Sequence, residues 1–107
     1  MPRHIDLSNK LTSERPTITI NGVVYKVNDE KSNVLLMNQE LKKDNVSEMD
    51  MVDRVISILL GKKALKEIEA AEYGLSQYMT IFYALVACVN DEDIEVIESR
   101  FQQQANK

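Results

Sequence analysis

Few residues of this 107-residue chain could do chemistry, and their spacing keeps them apart. The single histidine, His4, lies in a polar N-terminal stretch with no neighbour to hold it as a base or a metal ligand. The single cysteine, Cys88, falls inside the uncharged run Leu75 to Val89, where a thiol is expected to be buried and inert. With no second cysteine, an internal disulfide is impossible. Asp91-Glu92-Asp93-Ile94-Glu95 gathers carboxylates but lacks the glycine and the ligand spacing of a calcium loop, so it reads as helix capping and solvated surface. The three glycines each have a turn or a cap to serve, and none belongs to a phosphate-cradling loop. These residues argue against an enzyme and imply no cofactor and no metal.

One further pattern touches on nucleic acid. A helix ending near Leu60, then Gly61, then a helix from Lys62 has the outline of a helix-turn-helix. In the would-be recognition helix, KKALKEIEAAEYG, Lys62, Lys63 and Lys66 are offset by Glu67, Glu69 and Glu72. No net attraction for phosphates remains over its length. The whole chain carries a net charge of -4, with residues 1–46 at +1 and residues 47–107 at -5. Nucleic acid is therefore a poor partner, unless Arg3, Lys10, Arg15, Lys42 and Lys43 fold into one basic patch.

The element that must position everything else is Leu75 to Val89, which can only be a buried helix. Tyr78, Ile81, Phe82, Leu85 and Val89 share one face, flanked by Met79, Val86 and Cys88. A small-residue strip, Thr80, Tyr83, Ala84 and Ala87, is open to another helix, another subunit or water. At 15 residues the run is well short of the ~20 needed to span a membrane. The opening MPRHIDLSNKLTSERP lacks the apolar stretch of a secretory signal, so a cytoplasmic setting is expected.

The other elements read as one α+β domain over 16–104, an N-terminal hairpin against four to five helices, preceded by an arm at 1–15. The arm admits three readings: flexible, laid on the domain through Ile5 and Leu7, or exchanged between subunits. The hairpin spans 16–28 around Asn21-Gly22, with Ile18 and Ile20 facing Val23, Tyr25 and Val27. Helices are expected at about 30–43, 47–60, 62–73, 76–89 and 91–104. In the first, Val34, Leu35, Met37 and Leu41 point inward; Asn28-Asp29 or Ser32 caps it, and Asp44-Asn45 breaks it. In the second, Ser47 is the cap and Met49, Val52, Val55, Ile56, Leu59 and Leu60 form the inner face. Ala64, Leu65, Ile68 and Ala71 form that of the third. Gly74 is its expected stop, Leu75 closes a hydrophobic cap, and Ser76 caps the core helix.

The order of these elements, with Ile20-Asn21-Gly22-Val23-Val24-Tyr25-Lys26-Val27 early and Asn90-Asp91-Glu92-Asp93 leading to Arg100-Phe101 late, resembles the tail assembly chaperones of phages with long, non-contractile tails. The resemblance implies a non-enzymatic protein that binds the tape-measure protein, keeps it soluble and helps tail-tube protein assemble around it. It also implies a homo-oligomer, and a longer frameshifted product for which the Gln102–Lys107 tail would be the junction; an ordinary frayed terminus is the favoured reading of that tail. A binder of amphipathic helices needs an apolar groove with polar edges. The residues available for one are Ile94, Ile97 and Phe101 on the last helix and Met51 on the second, with Met37, Met49 and Met79 in reserve; core packing is the competing role of each. The competing function is a small cytoplasmic regulator acting through a protein partner or DNA.

Overall fold

A computed structural model describes residues 2–11, 15–43 and 47–105, with side chains as far as Gln102. The expected break at Asp44-Asn45 and the last two residues of the tail lie outside the described residues. Strands β1 (Thr17–Ile20) and β2 (Val23–Lys26) are followed by helices α1 (Lys31–Lys42), α2 (Glu48–Leu60), α3 (Lys62–Ala70), α4 (Leu75–Asn90) and α5 (Ile94–Ala105). The result is the expected α+β architecture, a two-stranded antiparallel hairpin followed by five helices among the described residues.

The hairpin forms because Asn21 and Gly22 both take positive φ, 49° and 81°, which twists the turn to match its strands. Ile18 pairs with Tyr25 and Ile20 with Val23. Ile18, Ile20 and Tyr25 are half-buried and Val27 is fully enclosed, whereas Val23, at the tip, stands in solvent. Both ends of the hairpin are tied down. At the base, Asn28 N–H donates to Leu59 O at 2.8 Å and Asn33 Nδ2 donates to Ile58 O at 2.8 Å, satisfying carbonyls that the end of α2 leaves free. At the tip, Asn21 Nδ2 donates to the Tyr73 hydroxyl at 2.7 Å, and midway Tyr25 Oη donates to Glu67 at 3.0 Å.

Arg15 donates to Asn28 at 3.1 Å and to Glu30 at 2.7 Å, so the polar anchoring of the domain begins one residue before Pro16. Glu30 holds the N-cap position of α1 without a side-chain cap bond; neither Asn28-Asp29 nor Ser32 occupies it. Within α1, Met37 is buried and Val34 and Leu41 are half-buried, but Leu35 is exposed, as is Leu36. The inward face is narrower than its composition suggests because α1 packs chiefly on α2.

Ser47 caps α2 as expected, accepting from Asp50 N–H at 3.4 Å. Val52, Val55, Ile56 and Leu59 are buried, while Met49, in the first turn, is exposed. Gly61, at φ 96°, ends α2 and starts α3. Helix α3 stops at Ala70, earlier than expected, because Glu72 turns left-handed at φ 56° and sends Tyr73 toward the hairpin tip; Ala71 is left exposed. Gly74, not Ser76, is the N-cap of α4, and its N–H donates to Gln77 Oε1 at 3.1 Å. Leu75 closes no hydrophobic cap, since its side chain projects into solvent.

Tyr78, Ile81, Phe82, Leu85, Val86 and Ala87 of α4 are buried, placing α4 at the centre of the core with α2 and α5 against it. Asp91, at φ 54°, turns the chain out of α4. Arg100 reaches back to Glu92 at 2.8 Å and fastens α5 to that turn.

One half-buried carboxylate links α1 to α2. Lys43 Nζ lies 2.8 Å from Glu40 Oε1, and Arg54 lies 3.5 Å from Oε2, which is shut off from solvent and accepts no hydrogen bond. The Lys43 hydrogen bond chiefly holds the Glu40 carboxyl below its ordinary range, with the two positive charges adding and desolvation opposing. A folded carboxyl with a lowered pKa stabilises the fold at neutral pH, and that contribution disappears as pH falls through the lowered value. Glu40→Gln should therefore lower the thermal midpoint at pH 7. The difference from the parent should close as pH falls below about 4, which melting curves across pH would show.

Candidate partner-binding surface

Gly74 ends the tight α3–α4 turn and starts α4 with Leu75 already on the first helical turn, before any neighbouring helix can cover it. Two shallow depressions open on either side of this leucine. One, of about 380 Å³, lies between the start of α4 and the outer part of α5, where Met79, Thr80 and Tyr83 face Glu98 and Gln102. The other, of about 390 Å³, lies between the start of α2, the end of α3 and the start of α4. Its apolar lining includes Met49, Tyr73 and Leu75, and its carboxylates are Asp53, Glu69 and Glu72. Leu75 is common to both.

Tyr83, the aromatic residue of the first depression, is packed against two phenylalanines. The Tyr83 ring lies 5.7 Å from those of Phe82 and Phe101, and Phe101 meets Phe82 edge-on at 5.3 Å. Burial, followed by the charges of Glu48 and Glu98, raises the Tyr83 hydroxyl above its ordinary pKa. In the second depression the Tyr78 hydroxyl donates to Asp53 and fixes that carboxylate at the groove wall. Desolvation and then this bond push the Tyr78 pKa upward as well.

Of the four residues singled out for partner binding, Ile94, Ile97 and Phe101 share the α4-facing side of α5. Ile97 is 0% exposed and is core, so the folded chain cannot offer it to a partner. Ile94 and Phe101 are half-buried, with Phe101 engaged by Phe82 and Tyr83. Met51, on α2, is half-buried against the core and lines neither depression. Met37 is also wholly core, whereas Met49 and Met79 each line one depression. Sequence reasoning missed Leu75 and Tyr73 as surface formers. Their only signal was a leucine on the first turn of an apolar helix, directly behind a glycine.

Two of the five basic residues considered for a patch are paired with acids. Arg15 is taken by Asp29 and Glu30, and Lys43 by Glu40. Cys88 is half-buried with its thiol 4.0 Å from Thr17 O, and burial pushes its pKa up, away from the thiolate that nucleophilic chemistry requires. Among the described residues, no three His, Cys, Asp or Glu side chains converge as a metal site, and no helix is long and apolar enough to cross a membrane. Comparison with family models, curated proteins and solved structures gave no match.

Proposed function

We propose that this chain is a non-enzymatic tail assembly chaperone of a long, non-contractile-tailed phage or prophage. It would work in the cytoplasm of the bacterial host, binding the apolar helices of the tape-measure protein while tail-tube protein assembles around them. The observation that supports this reading is the open surface between the start of α4 and α5, where Met79 and the Tyr83 ring are edged by Glu98 and Gln102. An amphipathic helix laid there would bury its apolar face on these side chains and keep its polar face in water. Methionine at the centre suits a client whose helices vary in sequence, because its unbranched side chain repacks easily.

Calorimetric titration of the chain with helical fragments of the tape-measure protein tests this. Binding should carry a negative heat-capacity change, the mark of apolar burial. Met79→Ser should weaken it by about tenfold or more, since a buried Met side chain contributes about 1.5–3 kcal/mol. Fragments that give no heat and form no complex would remove the proposal.

A further inference from the structure

The second depression, between α2, α3 and α4, differs from the first in its charge. Asp53, Glu69 and Glu72 stand around Met49, Tyr73 and Leu75, and no basic side chain is among its lining residues. Glu72 contributes a carboxylate from a left-handed backbone position, φ 56°, that glycine or asparagine occupies at lower cost. Leu75 is 66% exposed within this groove. The surface is apolar in the middle and negative at the rim, and Leu75 at its centre stands open to solvent.

The N-terminal arm has the complementary composition. Ile5 is 65% exposed, Leu7 is 48% exposed and Leu11 is 72% exposed, so three large apolar side chains in seven residues touch little of the domain. Arg3 and Lys10 flank them. The only acid among residues 2–11, Asp6, has its carboxylate occupied by the Ser8 N–H and hydroxyl, at 3.0 and 2.7 Å. The arm thus offers apolar groups to match the groove's apolar centre and positive charge to match its acidic rim.

We infer that the groove receives the arm of a second copy of this chain, with Ile5, Leu7 and Leu11 against Met49, Tyr73 and Leu75, and Arg3 and Lys10 beside Glu69, Glu72 and Asp53. Reciprocal exchange about a two-fold axis uses the same two surfaces twice and covers both apolar patches on both copies. The exchange stands on these two surfaces alone and does not require the tape-measure reading. A chain that dimerises but binds no client would leave it intact.

The test is molar mass by light scattering on the full chain, over a range of concentrations at low and high salt. The parent should rise toward twice 12.2 kDa with concentration, and the rise should shift to higher concentration at high salt. Ile5→Ser/Leu7→Ser/Leu11→Ser, which touches no core residue, should weaken association by about tenfold or more. Glu72→Gly should also weaken it, although glycine suits the left-handed φ and should leave the denaturation midpoint level or higher. Mixing Glu69→Lys/Glu72→Lys with Arg3→Glu/Lys10→Glu should give a heterodimer stronger than either variant's own association. A parent that stays at 12.2 kDa at every concentration, or arm and Glu72 variants that associate like the parent, would overturn the inference.

Discussion

Replacing Phe82 with alanine is expected to cost about 3–5 kcal/mol, the largest loss among truncations of the fully buried side chains to alanine. Phe82 heads the fully buried side chains, and its ring is the one that both Tyr83 and Phe101 rest on. Alanine would leave a cavity that three packed elements cannot all close at once: α4 itself, α2 across the core and α5 beside it. A domain of this size is stable by about 5–15 kcal/mol, so the variant would keep only part of its margin and could fall near zero at 37 °C. Urea denaturation followed by far-ultraviolet circular dichroism should show a much lower midpoint with an unchanged slope. A loss below about 1 kcal/mol would mean that the ring is not enclosed as described.

Ile97→Ala should be the second costly change, at about 2–5 kcal/mol, because Ile97 is the fully buried residue through which α5 joins the core. Phe101→Ala should cost less, since that ring is half-buried and its neighbours can relax toward solvent. The contrast separates two roles that look alike in sequence. If Ile97→Ala left stability unchanged and impaired client binding instead, α5 would be a detachable binding element and not part of the core. Denaturation midpoints for the single and double variants give that comparison directly, because residues in contact need not contribute additively.

The hairpin was legible because Asn21-Gly22 meets a backbone demand that few dipeptides satisfy, and the period of two around it is unambiguous. Ser47 was legible as a cap because its hydroxyl stands three residues ahead of a free N–H. The inner face of α4 was legible because no charge interrupts it. What escaped depended on neighbours distant in sequence. Leu35 reads as inward from its helix alone, but α1 is covered mainly along its α2 side, and Leu35 is exposed. The early stop of α3 comes with a left-handed Glu72 and with Tyr73 bonding to Asn21, a contact across 52 residues that no local pattern reports. Leu75, on the first turn of the next helix, is exposed. The candidate surface was therefore the part least visible in the sequence: Ile94, Ile97 and Phe101 have the spacing of a binding stripe and the spacing of a core stripe alike. Only the packing of α5 on α4 distinguishes them.

Co-expression with the tape-measure protein of the same genome tests the proposed function most directly. A tape-measure protein that aggregates alone should become soluble beside this chain and should elute with it as one complex, and Met79→Ser should return part of it to the pellet. A tape-measure protein that stays in the pellet while this chain remains folded and soluble in the supernatant would contradict the chaperone reading.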